Sequence, residues 1–250
     1  MFRSEPTLLI NDLVRETRNY ETVLRALAMG AHTPTEMAET TGIASPNLSP
    51  YLRRLIELGL IERRVPATIA PTQRRSTTRS RYYLRDSYLR FYFRFIEPNL
   101  EMIELGLVEQ LWTRIGEQFR AFIGATVFEE LCREWVILQA QQMQLPFAPE
   151  LVGSHWSSDA QVDVVAINWR APAILLGECK WGADAVGVAV IRELIDKTAR
   201  VVPGADWQVH YVFFARAGFS EPARAEAAKV NAQLVDLSTI DSALRAALIK

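Results

Sequence analysis

The sequence predicts an α+β chain: three short helices and a two-stranded hairpin, a helical connector, and then a mixed sheet built in the order α-β-β-β-α-β. Three observations predict this. Apolar residues recur at helical spacing from Tyr20 to Leu58, with breaks at Gly30 and Gly42. Two short apolar runs, 162–167 and 174–177, are separated by the turn formers Asn168, Arg170 and Pro172. Beyond them, strand-like and helix-like segments alternate. The 250 residues are 49% hydrophobic and 23% charged, an ordinary globular composition long enough for one large or two modest domains. Expected boundaries are 1–86, 87–123 and 124–250.

The first part begins with a helix from Tyr20 to Met29, with Val23, Leu24, Leu27 and Ala28 on one face and Gly30 ending it. Thr33-Pro34-Thr35-Glu36 is a helix start, combining a capping hydroxyl, a proline at the first position and an acid three residues on. That helix runs from Pro34 to Thr41. Ser45-Pro46 repeats the cap-plus-proline signal for a third helix, which reaches about Leu58 with Leu48, Leu52 and Leu55 inward. Strands follow at Ile61–Val65 and Ser80–Leu84. This order, with the tight Thr41-Gly42-Ile43-Ala44 turn, is the winged helix-turn-helix plan.

Asn47, Ser49, Arg53 and Arg54 are expected on the exposed side of the third helix, where a recognition helix meets the major groove. Arg74, Arg75, Arg79 and Arg81 give the wing a basic loop without an acid, suited to phosphate contacts. Pro50 removes a backbone donor inside the third helix. Either the helix kinks there or it starts late, with Ser49 as cap. Both options disturb the reading face, so backbone binding is expected ahead of base readout.

In the connector, Tyr88 to Phe95 is dense in aromatics, with arginines three or four apart. The rings are expected to pack inward and join two domains, with the arginines outward. Pro98 stops this helix, and further helices are expected at Leu100–Leu111 and Trp112–Phe122.

The last part reads as a helix from Ala125 to Gln139 and strands at Glu150–Trp156, around Asp163 and around Glu178. A helix from Val188 to Val201, a strand Gln208–Ala215, a helix Ser220–Val230, a strand Gln233–Asp236 and a helix Thr239–Lys250 follow. Side chains alternate along a strand, so Glu178 and Lys180 share a face. Paired as a hairpin, the two central strands bring Asp163, Glu178 and Lys180 to the rim of one sheet. Two carboxylates can hold a hard divalent cation, and a lysine can orient water or stabilise negative charge, as phosphodiester cleavage requires. As a bare pattern, Asp…Glu-x-Lys also describes a turn residue and two solvated positions. His155 and His210 have no ligand spacing and read as structural.

Gly124-x-x-x-Phe128-Glu129, Val162-Asp163-Val164-Val165 and Gly177-Glu178-Cys179-Lys180-Trp181 together resemble the restriction-endonuclease-like, PD-(D/E)XK, nuclease superfamily. Nearly the whole chain resembles the C-terminal region of archaeal-type AAA+ ATPases, a winged helix followed by a nuclease-like domain without assigned function. Leu9 to Glu16, Gly59 to Arg63, Tyr82-x-Leu84-x-Asp86 and Phe91-x-Phe93-x-Phe95 carry that likeness. The resemblance implies Asp163 and Glu178 as ligands of Mg²⁺ or Mn²⁺ and Lys180 as the group that positions water or stabilises charge. Glu129 completes the site, Glu130 being the second choice; an acid favoured by the helix dipole accounts for Glu129 equally well. Val162 stands where a proline often precedes the first catalytic Asp. No Gly-x-x-x-x-Gly-Lys-Ser/Thr loop exists, so no ATP site is expected.

The expected function is a DNA-binding protein with a Mg²⁺-dependent endonuclease domain. The alternatives are an inactive DNA-binding regulator that keeps the scaffold, and an adaptor for a separate AAA+ ATPase. Expected partners are double-stranded DNA, that ATPase and a second copy of the chain. A net charge of −1 requires any nucleic-acid surface to come from local clustering. Cys132 and Cys179 are too few for a disulfide scaffold or a zinc site. No apolar run reaches the roughly 20 residues of a membrane span, and the charged Met1–Glu16 stretch lacks a signal-peptide core, so a cytoplasmic location is expected.

Overall fold

The computed structural model describes residues 17–248; the Leu9–Glu16 stretch lies outside them. Two compact units divide the described chain: one ends at Val65 and resumes over Thr78–Glu117, the other holds Pro66–Thr77 and the described residues from Gln118.

The first unit opens with α1 (Thr17–Ala28), α2 (Pro34–Thr41) and α3 (Ser45–Glu57). At α2, Thr33 Oγ1 accepts from the Glu36 amide at 3.3 Å and Glu36 Oε2 accepts from the Thr33 amide at 2.8 Å. These reciprocal bonds satisfy donors that the first turn leaves open. Gly42, at φ +72°, closes the helix in the left-handed region. The antiparallel hairpin β1 (Ile61–Arg64) and β2 (Arg81–Leu84) pairs Ile61 with Leu84 and Arg64 with Arg81.

Helix α3 departs from the expectation at its cap: Ala44, not Ser45, is the cap residue, and it makes no side-chain cap bond. Of the two starts expected it takes the earlier, with Pro50 inside the helix, so Ser49 is an interior residue rather than a cap. The missing donor is tolerated because Leu48, Leu52 and Leu55 are sunk in the core with Val23, Leu24, Met37 and Ile61. Truncating any one of these three leucines to alanine is expected to cost about 2–5 kcal/mol.

The aromatic segment closes that same core. After α4 (Ser87–Phe91), residues Tyr92–Ile96 form a π-helical turn and Glu97–Asn99 a 3₁₀ turn. Tyr92, Phe93 and Phe95 are buried as expected. The arginines do not all face outward: Arg90 is buried, and Arg94 is half-buried with Nη1 donating to the Ala28 carbonyl at 3.0 Å. Arg25 makes a bidentate pair with Glu97, at 2.7 and 2.8 Å. Pro98 sits inside a turn that leads directly into α5 (Leu100–Glu104). The break that follows falls at Gly106, φ +73°, rather than after Leu111. From Val108 the chain is helical without interruption to Gln141: α6 (Val108–Phe122), a π-helical turn (Ile123–Phe128) and α7 (Glu129–Gln141).

The second unit carries the sheet. Its strands are β3 (Leu151–Trp156), β4 (Gln161–Asn168), β5 (Ala173–Lys180), β6 (Gln208–Ala215) and β7 (Gln233–Asp236), in that spatial order. Strands β3, β4 and β5 are antiparallel, whereas β5, β6 and β7 are parallel. Parallel pairs need long crossovers, which α8 (Val188–Val201) and α9 (Glu221–Lys229) provide; α10 (Leu237–Leu248) closes the chain's described part. One face of the sheet (Val165, Ile167, Ile174, Leu176, Phe213) packs on Ile191 and Leu194 of α8 and on Ala223 and Ala227 of α9. The other (Val164, Ala166, Leu175, Val212, Phe214) packs on Cys132, Trp135 and Val136 of α7 and Ile240 of α10. The sheet is thus covered by helices on both sides.

The loop between the two hairpin strands belongs to this second unit. Ala67 is fully buried beside Val165 and Ile167, and its amide donates to Ser154 of edge strand β3 at 2.8 Å. Thr68 Oγ1 meets His155 Nδ1 at 2.6 Å. This loop segment covers part of an otherwise open strand edge.

Candidate functional site

Strands β4 and β5 stay paired from Asn168–Ala173 to Val164–Gly177, and one step further brings Asp163 beside Glu178. The close approach there depends on Gly177. A Cβ at this position would lie 2.9 Å from Val164 Cβ and 3.0 Å from Val212 Cγ1. Past this point the Asp163 side chain takes over from the backbone ladder, its Oδ2 accepting from the Cys179 amide at 3.0 Å. Its own carbonyl accepts from Arg133 Nη1 of α7, also at 3.0 Å.

Glu178 is buried to 7% exposure and is held from two directions. Lys180 Nζ donates to Oε1 at 2.7 Å, as expected for two residues on one strand face. Oε2 is buried and has no hydrogen-bond partner among the described residues. Lys197 Nζ of α8 lies 3.7 Å from this oxygen, and that ammonium is also 2.8 Å from Glu193 Oε1. Glu129 approaches from α7, directly after the π-helical turn, and pairs with Arg133 at 3.5 Å. Such π turns inside helices recur at functional positions.

The electrostatics are those of crowded carboxylates. Burial, then the charge of Asp163, pushes the Glu129 carboxyl up to about 8, against the opposing pull of Arg133. Burial and Asp163 also raise Glu178, which Lys180 and Lys197 partly offset. Burial works against the charge on Lys180, but its bond to Glu178 and the field of Asp163 prevail and raise it above the ordinary lysine value. Lys180 is therefore an ammonium here, suited to stabilising negative charge rather than to removing a proton.

All four expected site residues, Glu129, Asp163, Glu178 and Lys180, are brought together. Lys197 and Arg133 were not anticipated. Lys197 sits one helical turn after Glu193 on an amphipathic helix, a pattern that reads as an ordinary i,i+4 surface pair. Beside the site, Trp181 is packed against Gly124, where a Cβ would fall 3.0 Å from Trp181 Cβ, and against Phe128 at 5.1 Å. The exposed Arg216 guanidinium lies over its ring at 4.8 Å. Among the described residues no group of three or more His, Cys, Asp or Glu side chains is arranged to hold a metal ion. The donors present nevertheless suit a hard cation: two carboxylates, one carrying a buried oxygen without a hydrogen bond.

On the first unit, Asn47, Ser49, Arg53 and Arg54 are all exposed on α3, with Arg54 3.4 Å from Glu57. The wing arginines divide. Arg79 and Arg81 belong to the first unit, and Arg74 and Arg75 to the second. Arg75 and Arg79 are exposed, whereas Arg74 Nη1 donates to the Pro66 carbonyl at 3.0 Å. Arg64, opposite Arg81, lies 4.4 Å over the Tyr83 ring.

Residues 92–191 match a family described as archaea bacterial proteins of unknown function (DUF234), and residues 22–65 match the IclR helix-turn-helix domain. An uncharacterized protein of Methanocaldococcus jannaschii is 33% identical over 179 residues, covering 72% of this chain and 39% of that protein. The chain therefore spans about two-fifths of that relative's length. A MarR family transcription regulator is 18% identical, covering 47% of this chain and 85% of the other, with a TM-score of 0.26. A Vibrio cholerae protein is 10% identical, covering 90% and 49%, with a TM-score of 0.30. Can2 from Sulfobacillus thermosulfidooxidans, in complex with cyclic tetra-adenylate, is 13% identical, covering 99% and 55%, with a TM-score of 0.33. At these TM-scores the three likenesses carry no weight for fold or function. Among the described residues no helix is long and apolar enough to cross a membrane.

Proposed function

We propose that this chain, a helix-turn-helix domain joined to a domain of the DUF234 kind, binds DNA and hydrolyses phosphodiester bonds at the Asp163–Glu178–Lys180 rim. The observation that carries the reading is the convergence of Asp163 and Glu178 on one buried spot beside a lysine ammonium. Asp163 and Glu178 would hold a Mg²⁺ or Mn²⁺ ion, as PD-(D/E)XK enzymes do. When bound, such an ion lowers the pKa of a coordinated water and neutralises phosphate charge. Lys180 would face the negative charge that builds on the phosphate oxygens as a water oxygen bonds to phosphorus and the P–O ester bond breaks, one proton of that water ending on the leaving oxygen. Arg133 holds the Asp163 carbonyl and Glu129 in place from α7. The exposed α3 residues supply backbone contacts that bring the duplex to the protein. In this reading an AAA+ ATPase is a partner, which co-purification tests.

Plasmid nicking in Mg²⁺ or Mn²⁺ tests the proposal. Wild type should cleave and Lys180→Ala should lose most of that activity; equal cleavage by both would assign the activity elsewhere. A second reading rests on the exposed Asn47, Ser49, Arg53 and Arg54 of α3 alone. On that reading the scaffold is kept for DNA binding without turnover, and wild type binds duplex DNA but leaves the plasmid intact.

A further inference from the structure

Lys197 reaches Glu178 from α8, and the proposed chemistry assigns it no role. It is partly buried, with 15% side-chain exposure, on the helix that packs across the β5 face. An ammonium drawn out of water gains from paired partners, and Lys197 has two of different kinds. Its hydrogen-bonding partner is Glu193 Oε1 at 2.8 Å, a carboxylate that is 59% exposed. Its second partner, Glu178 Oε2 at 3.7 Å, is beyond hydrogen-bond reach, and that oxygen is buried and otherwise without a donor. Glu178 also faces Lys180 on its own strand, Asp163 on β4 and Glu129 on α7, so Lys197 is the only cation that α8 adds to this cluster among the described residues.

We infer that Lys197 is an internal counter-cation for Glu178, holding the place of a divalent ion in the metal-free protein and yielding it when the ion binds. The inference rests on the metal-site reading above and deepens it. Glu193 makes the exchange inexpensive, since the ammonium keeps its short bond to Glu193 whether or not Glu178 is taken by a metal. The arrangement sets a threshold: a cation reaches Glu178 only by overcoming the repulsion of an ammonium less than 4 Å from the oxygen it needs. Lys197 is thus a positioning residue that tunes metal affinity, not a group that meets the substrate.

Titration of the full chain with Mn²⁺ alone, followed by calorimetry and by the electron paramagnetic resonance of free Mn²⁺, tests this without any turnover. Lys197→Met should tighten the Mn²⁺ dissociation constant about tenfold. Lys197→Arg, which keeps the charge, should stay within about twofold of wild type. Glu193→Gln leaves Lys197 with Glu178 as its only carboxylate and should weaken binding several-fold. Glu193 is exposed, so this variant keeps the test open should Lys197→Met fail to fold. Mn²⁺ binding that needs Asp163 but is unmoved by Lys197→Met and Glu193→Gln overturns this inference and leaves the metal site standing. Absence of Mn²⁺ binding in wild type and Lys197→Met alike overturns both.

Discussion

The Asp163 carboxylate accepts the Cys179 amide at 3.0 Å, beyond the last backbone pair of β4 and β5. One side chain thereby extends a strand ladder and carries negative charge to the residues flanking Cys179, namely Glu178 and Lys180. Position and electrostatics of the site are tied together at this bond.

Asp163→Asn should separate the two roles. The amide oxygen still accepts from Cys179, while the charge that raises Glu129 and Glu178 disappears. The variant is expected to melt at or above the wild-type temperature in the absence of metal and to lose metal-dependent cleavage. A melting temperature several degrees below wild type would mean that the negative charge itself holds the strands.

Glu129 makes metal-free stability depend on pH. Its folded value is about 8 against an ordinary 4.5, so the folded chain binds more protons between those values. Stability from this group is full below about pH 4.5 and is lost as pH rises through about 8. Urea unfolding at pH 5 and pH 8.5 should differ by on the order of 2 kcal/mol in favour of pH 5. Glu129→Gln should remove most of that difference.

Gly177→Ala should destabilise the sheet by about 1–3 kcal/mol, through overpacking. The added methyl would press on Val164 and Val212 on neighbouring strands, at 2.9 and 3.0 Å. Unfolding midpoints in urea measure this, and a midpoint equal to wild type would show that the strands can move apart there.

Arg53→Ala with Arg54→Ala should weaken duplex binding and reduce the slope of log K against log salt by about 1–2, since each lost phosphate contact removes roughly one released ion. Fluorescence anisotropy across a salt series checks it. An unchanged slope would place the DNA on another face.

Arg74→Ala is expected to behave differently from its neighbours. Its guanidinium is engaged with the Pro66 carbonyl. The change should lower stability by about 1 kcal/mol and leave the salt slope of DNA binding within error. Arg79→Ala, on an exposed residue of the first unit, should lower that slope.

Helix and strand order was legible from residue pattern alone, because burial on one face imposes a period of 3.6 or 2 wherever an element forms. Pro34–Thr41, Val188–Val201, Gln208–Ala215 and Gln233–Asp236 have the expected bounds. Asp163, Glu178 and Lys180 were legible for the same reason, since alternation places Glu178 and Lys180 on one face and pairing brings Asp163 alongside. What local pattern could not supply was context from distant residues. The helix through Pro50 is held by leucines packed against other elements, and Arg90 is buried because the aromatic segment completes a core begun at Val23. The loop around Ala67 is claimed by an edge strand far along the chain. Lys197 joins Glu178 only because a parallel crossover lays α8 on the β5 face. Periodicity reports which side of an element meets other protein, but which residues wait there is decided when the chain closes on itself, and at this rim that closure decides the charge.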